Sequence, residues 1–143
     1  MLNSQDLIST LKSQHRILES DLLQVSNEAK SEAGSVGEAI VLGLTKFKKD
    51  LGEHLELENG AFYPDYLDKK IKRGEDTAST KEFIEQMNGI GKTVMDFLGK
   101  FNTPQAVDNE VVNFINELSK IIGVLKIRIE TEEEGVFELY LLM

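Results

Sequence analysis

The sequence predicts an all-α fold, an up-down-up-down antiparallel four-helix bundle that forms a single domain over residues 1–143. Apolar residues recur at spacings of three and four in four separate stretches, whereas the two-residue alternation of strands is not sustained. Hydrophobic residues make up 41% of the chain, charged residues 29%, and there are 2 prolines, as is typical of a helical protein with a packed core. The chain length suits one domain.

The first predicted helix covers roughly residues 4 to 30. Its apolar stripe consists of Ile8, Leu11, His15, Leu18, Leu22 and Val25. The linker KSEAGSVG follows, and Ser35 with Glu38 forms a capping-box pattern that predicts the start of the second helix.

The second predicted helix has polar residues on the seam that should face the core. The seam consists of Ile40, Leu44, Phe47, Leu51, His54, Glu58 and Ala61. Pro64 lies near the end of this helix, and the polar segment KKIKRGEDTAS is predicted to be the next loop.

The third predicted helix starts with a capping-box pattern at Ser79 and Glu82. Its apolar stripe consists of Phe83, Met87, Ile90, Val94, Phe97 and Phe101. Thr103 and Pro104 are a typical helix start, so the fourth helix is expected to begin there or after Asp108. The seam of the fourth helix consists of Val111, Phe114, Leu118, Ile121, Leu125, Arg128 and Glu132.

The charge of the chain disfavours several classes of partner. Its 25 acidic and 16 basic residues give a formal net charge of −9, which would repel nucleic acid phosphates and anionic membrane surfaces. The polar start MLNSQDLIST lacks the layout of a secretory signal, and no apolar run approaches the ~18 residues that span a bilayer. Cysteine is absent, which excludes thiolate sites and disulfides. We expect a soluble cytoplasmic protein with no nucleic acid or membrane partner.

The polar positions on the seams predict a buried site. A histidine and a carboxylate in a bundle interior, such as His54 and Glu58, must be paired, hydrogen-bonded or bound to a metal. In an antiparallel bundle, the late positions of helices two and four lie at the same end, and His15 meets that end too. We therefore expect these polar residues to form one buried layer.

A set of short motifs resembles the hemerythrin-like (HHE cation-binding) family. The pattern His54-x-x-x-Glu58 is followed by an aromatic pair and a proline, and a single histidine lies on the preceding helix. The segment RIETEEEGVFELY is laid out like the last ligand segment of that family. The resemblance implies a left-handed four-helix bundle that holds two irons with five histidines and two bridging carboxylates. It also implies a role in oxygen transport, redox or oxygen sensing, or iron handling.

The resemblance implies a metal-ligand set in this chain. His15 would be the ligand on helix one, His54 the ligand on helix two, and Glu58 a bridging carboxylate. Glu133 takes the place of the second bridging carboxylate, with Glu132 as the near alternative.

The chain departs from the family pattern in ways that make the metal site partly degenerate. It has 2 histidines, and around Phe83 and Met87 helix three is apolar where the family has a histidine pair. Arg128 replaces the remaining histidine of helix four, and a guanidinium cannot ligate a metal. Its planar fork could instead hold Glu58 and a helix-four glutamate, and so replace the charge of the metal.

Two functions follow from this set of residues. The first is a cation-binding or oxygen- or redox-responsive protein, with iron in an incomplete site and a small diatomic ligand if metal is bound. The second is a metal-free interaction or regulatory module that binds a protein partner or forms a homodimer. We do not expect an enzyme, because no phosphate-binding loop or Ser-His-Asp arrangement is readable in the sequence.

Overall fold

In a computed structural model, which describes residues 3–30 and 37–143, the chain is almost wholly helical, and no strand occurs within those two ranges. The predicted all-α fold is therefore confirmed. In chain order the elements are α1 (Ser4–Ala29), α2 (Gly37–Leu57), a first π-helical turn (Glu58–Phe62), α3 (Tyr63–Lys72), α4 (Ala78–Lys100), α5 (Pro104–Asn109), α6 (Val111–Thr131), a second π-helical turn (Glu132–Val136) and α7 (Phe137–Leu141).

These elements form four long rods, because each π turn continues one helix directly into the next. The helices α1 and α4 are rods by themselves, α2 continues into α3, and α6 continues into α7. The rod formed by α1 packs against α2 and α6, and α4 also packs against both. The short helix α5 lies between α4 and α6 in the chain. The alternating up-and-down order of the rods stays a prediction.

The first rod follows its predicted span closely. The side chain of Asn3 caps α1 by accepting a hydrogen bond of 2.8 Å from the N–H of Asp6. All six residues of the predicted stripe are buried. The predicted cap at Ser35 lies outside the described residues.

The second rod contains a change of helical phase that the sequence pattern did not predict. The predicted seam is buried as far as Glu58, but Ala61 is exposed, and its assignment to the seam was wrong. The π turn adds a residue to the helical repeat, so the next buried side chain after Glu58 is Phe62.

The connection between the second and third rods is shorter than predicted. Helix α3 continues to Lys72, because lysines are good helix formers and favour the negative end of the helix dipole. The chain then turns at Gly74, whose φ of 72° suits glycine. The predicted cap at Ser79 was wrong. The side chain of Asp76 accepts a hydrogen bond of 3.0 Å from the N–H of Ala78, where α4 begins.

The predicted start at Thr103 is confirmed, but it opens a short helix. The Thr103 hydroxyl accepts a hydrogen bond of 3.2 Å from the N–H of Ala106. Helix α5 ends after one and a half turns, because Glu110 leaves the helical region with φ −136° and ψ 48°. Helix α6 then begins at Val111 and carries the seam that was predicted for the fourth helix.

A layer of buried polar residues separates two apolar clusters. The larger cluster fills the bundle between α1, α2, α4 and α6 and includes the stacked rings of Phe97 and Phe114. The smaller, aromatic cluster begins at the far ends of the π turns, where Phe62 contacts Phe137 and Tyr140 edge to face. The polar layer consists of His15, His54, Glu58, Arg128 and Glu132.

We expect Gly37→Ala to destabilise the fold, because Gly37 opens α2 in close contact with α5. A Cβ at this position would lie 2.5 Å from the carbonyl oxygen of Pro104. The free energy of unfolding, measured by urea denaturation, should fall by about 1–3 kcal/mol. The matched control is Gly52→Ala, since a Cβ there meets nothing within 4 Å, and it should raise stability by about 0.5–1 kcal/mol. Equal effects of the two substitutions would contradict the close contact.

Candidate metal centre

Four buried side chains from three rods converge in the polar layer. His15 comes from α1, His54 from α2, Glu58 from the start of the first π turn and Glu132 from the start of the second. Each is at most 2% exposed. Each offers one nitrogen or oxygen atom, and these four atoms all lie within 4.8 Å of one another.

The two π turns position the carboxylates by the same local pattern. Glu58 and Glu132 each open a π turn, and each has a buried polar residue four positions earlier, His54 in one rod and Arg128 in the other. Residues four apart lie on the same side of a helix, so each rod presents a pair to the interior. Single π turns inside helices occur frequently at functional sites.

Both histidines are held by hydrogen bonds from their outward nitrogens. Nδ1 of His54 lies 2.8 Å from the amide oxygen of Gln14, and Nδ1 of His15 lies 2.7 Å from Oε2 of Glu133. Amide and carboxylate oxygens only accept, so each Nδ1 carries the proton and donates it. In a neutral ring, Nε2 then presents a lone pair to the interior, as it does in metal-ligating histidines.

The inward nitrogens face carboxylate oxygens. Nε2 of His15 lies 3.2 Å from Oε1 of Glu132, and Nε2 of His54 lies 2.9 Å from Oε2 of Glu58. Neither contact is an aligned hydrogen bond. Nε2 of His15 and both of these carboxylate oxygens are buried without a hydrogen-bond partner. A lone pair against a carboxylate is unfavourable, so each contact requires a cation, either a proton or a metal ion.

Arg128 supplies one positive charge to this layer from α6. Its Nη2 donates a hydrogen bond to Oε1 of Glu58, and its Nη1 donates to the backbone carbonyl of Met87 at 3.3 Å. Nε lies 3.6 Å from Oε1 of Glu132. The guanidinium therefore lies between the two carboxylates and is 3% exposed.

Tyr63 holds the carboxylate of Glu132 in place. Its hydroxyl donates a buried hydrogen bond of 2.6 Å to Oε2 of Glu132. Burial and the negative charge of Glu132 raise the pKa of Tyr63 above its ordinary value, so the phenol stays a donor. This bond leaves Oε1 of Glu132 free to face His15.

The surroundings shift the pKa values of Glu58 and Glu132 in opposite directions. Burial alone would raise the pKa of Glu58, but contact with His54 and the charge of Arg128 lower it to about 2. Burial raises the pKa of Glu132, the contact with His15 opposes this, and the charge of Glu58 adds to it. Burial would lower the pKa of His15, but Glu132 and Glu133 together raise it above 6.5. Glu58 therefore stays ionised, and a proton is favoured between His15 and Glu132.

The donor set fits one metal ion. Two ionised carboxylates and one guanidinium leave one negative charge uncompensated when both rings are neutral. Two protons or one divalent ion add the same charge, and either would fill both inward contacts. Donor atoms bound at about 2.1 Å lie about 3 to 4 Å apart, so atoms that already lie within 4.8 Å of one another need only a small inward shift to bind one ion. The set does not fit two irons held by five histidines, since the chain has 2 histidines and Arg128 lies against both carboxylates.

The structure brings together His15, His54, Glu58 and Glu132 among the predicted ligands, with Arg128 beside them. Glu133, which the resemblance favoured for the second bridging position, lies on the outer side of the His15 ring instead. The reason is helical phase, since Glu132 follows Arg128 by four residues and shares its face.

Two residues around the histidines were not predicted from the sequence: Gln14, which bonds to His54, and Arg16, which bonds to Glu133 behind His15. Gln14 was detectable, because it lies seven residues from the buried Leu7 and Asp21, on a second stripe of α1. Arg16 contacts Glu133 from an exposed position, and nothing in the pattern indicates it.

We expect Arg128→Met to lower the free energy of unfolding by about 3–5 kcal/mol in metal-free protein, because it leaves Glu58 and Glu132 buried without a fixed cation. Urea denaturation in the presence of a chelator measures this change. The matched control is Arg73→Met, which breaks an exposed pair with Glu75 and should change stability little. An unchanged stability of Arg128→Met would show that the guanidinium does not neutralise the layer.

We expect metal-free protein to lose stability as the pH rises above 6.5. The folded-state pKa of His15 is raised above 6.5, so the folded state binds more protons than the unfolded state in that range. The raised pKa of Glu132 acts in the same direction, whereas the lowered pKa of Glu58 affects stability below pH 4.5. Unfolding titrations at about pH 6, 7 and 8 in chelator test this, with His15→Gln as the control that should flatten the dependence. A rise in stability over this range would contradict the assignment.

The chain can be compared with curated proteins, with solved structures and with models of protein families. A search of curated proteins finds no match, and a search of solved structures finds none either. The model of the hemerythrin HHE cation binding domain matches residues 6–140, nearly the whole chain and all four converging side chains. The chain therefore belongs to the hemerythrin HHE cation-binding family.

Proposed function

We propose that the protein binds one divalent cation, iron(II), in the buried cluster and responds in the cytoplasm to the occupancy or oxidation state of that site. The pair of inward contacts carries this proposal, His15 with Glu132 and His54 with Glu58. In each contact two hydrogen-bond acceptors, a ring nitrogen and a carboxylate oxygen, face each other unless a cation lies between them. Membership of a cation-binding family supports the same function.

The chemistry of the donors favours a small group of metals. Two imidazole nitrogens and two carboxylate oxygens, without a thiolate, suit iron(II), manganese(II) or zinc(II). The family resemblance favours iron among these. Bound iron would supply a change of oxidation state and an open coordination position for a small diatomic ligand such as oxygen.

A response to the cation would pass through the π turns. Glu58 and Glu132 each open one, and at the other ends of these turns Phe62 and Phe137 pack in the aromatic cluster. The donors also tie α1 to α2 and α6, three rods of the proposed up-down-up-down bundle. We therefore propose a binding or sensing role rather than an enzyme. In the described part of the chain, no helix is long and apolar enough to cross a membrane.

A second candidate function is a metal-free interaction module, and the position of Arg128 favours it. The guanidinium already supplies a fixed cation to Glu58 and approaches Glu132. Protons would then fill the inward contacts, and a helix face would bind a protein partner or a second copy of the chain. Neither function involves nucleic acid or a membrane surface, because the net charge of −9 would repel both.

We expect about one iron per chain after anaerobic loading with Fe(II), since the donors surround a single position. Mass spectrometry of the metal content, on protein purified without affinity metals, measures this number. Visible spectra before and after exposure to air report oxidation. His54→Ala should abolish retention of iron, whereas Glu56→Gln, which removes an exposed carboxylate from the same helix, should leave it unchanged.

The outcomes separate the two candidate functions. Iron that His54→Ala retains would contradict the assigned site. If the wild type holds no metal either as purified or after loading with Fe(II), the first function is contradicted and the metal-free module is favoured. About two irons per chain would contradict the single-ion site.

A further inference from the structure

We propose that the cleft between α1 and α6 is the route by which a divalent cation reaches the buried cluster, and that the ion pair of Arg16 with Glu133 is the latch that closes it. This inference rests on the proposed cation-binding function and adds a transient cation site at Glu133.

The cleft reaches from solvent to Glu133, the residue that accepts a hydrogen bond from His15. It has a volume of about 680 Å³, and its apolar floor includes Leu22, Leu125 and Ile129. A second hollow, of about 570 Å³, lies further towards the start of α1. Arg16 and Glu133 line both cavities, so the ion pair stands where the two meet.

Glu133 connects this surface to the buried donors. Its Oε2 accepts hydrogen bonds from Nδ1 of His15 and from Nη2 of Arg16. The Glu133 side chain is 19% exposed, whereas the His15 side chain is 1% exposed. Behind Glu133, Nε2 of His15 and Oε1 of Glu132 are buried without hydrogen-bond partners. A cation bound at Glu133 would therefore be one side chain away from two unpaired donors.

Arg16 has an alternative partner that allows the latch to open. Its Nη2 also lies 2.9 Å from Oε1 of Glu19, three residues along the same helix. The Arg16 side chain is 58% exposed, and exposed ion pairs of this kind are weak. Arg16 can thus release Glu133 and keep an ionic contact. The Glu133 carboxylate then keeps its hydrogen bond from His15 and can bind a cation from solvent.

The mouth of the cleft has the charge that attracts a cation. Glu19, Glu130 and Glu134 line it together with Glu133. Lys126 lies two turns before Glu133, and Lys30 lies near the end of α1, so the carboxylates are concentrated at the end nearest the cluster. At that end of the cleft Arg16 is the basic lining residue against four carboxylates. An excess of negative charge raises the association rate of a cation, and this effect falls with ionic strength.

Stopped-flow mixing with Co(II), whose visible absorption reports coordination, tests the latch. We expect Arg16→Gln to increase the rate of Co(II) binding severalfold, with a smaller change in the equilibrium affinity measured by titration. The matched control is Arg73→Gln, which removes an exposed arginine paired with Glu75 and should bind at the wild-type rate. A wild-type rate for Arg16→Gln would overturn the latch.

The charge of the mouth is tested by a second pair of variants. Glu130→Gln combined with Glu134→Gln should slow Co(II) binding by up to about tenfold at low salt and weaken the salt dependence of the rate. Glu53→Gln combined with Glu56→Gln removes the same charge from the outer face of α2 and should have little effect. Equal slowing by both pairs would overturn the route, because net charge alone would then explain the rate.

These outcomes are distinct from failure of the proposed function. If the wild type binds Co(II) and the rates do not change as expected, the route is wrong and the cation site stands. If the wild type binds no Co(II) and no iron, both proposals fail.

Discussion

The structure depends on the neutralisation of two carboxylates in the interior of a helical bundle. Glu58 and Glu132 are fully buried, and isolated ionised carboxylates are too costly to remain there. Arg128 offsets one of the two charges, and the remainder must come from protons or from a metal ion. The positions of both histidines follow from this requirement, because each places a nitrogen against one of the carboxylates.

The same requirement explains why the polar layer lies where it does. The π turns begin at the two carboxylates, so the helical phase shifts at the level of the polar layer, between the larger apolar cluster and the smaller aromatic one. Beyond the layer, the rings of Phe62, Tyr63 and Phe137 pack together and are each at most 2% exposed. Exclusion of water strengthens every electrostatic interaction within the layer, and it also makes an uncompensated charge more costly. The layer therefore joins three rods through contacts that depend on the charge at their centre.

Much of the fold was predictable because apolar spacing alone determines which face of each helix is buried. That spacing also placed His15, His54 and Glu58 in the interior, since each interrupts an apolar stripe. The error at Ala61 arose because a π turn changes the repeat, and no spacing rule anticipates it. The hydrogen bonds on the outer sides of the histidines could not be predicted in this way, because they depend on tertiary contacts between rods. The bond from Gln14 to His54, for example, joins residues 40 positions apart.

His54 and Arg128 occupy equivalent positions in their rods. Their side chains differ, so the site is asymmetric. Each residue precedes a buried glutamate by four positions at the opening of a π turn, so the two rods present the same frame with different side chains. A histidine donates a lone pair to a metal, whereas an arginine remains a cation itself. In the proposed site the rod formed by α6 and α7 thus contributes a permanent positive charge where the family places a ligand. This charge satisfies the carboxylates in part, and it leaves room for a single exchangeable cation beside His15 and His54.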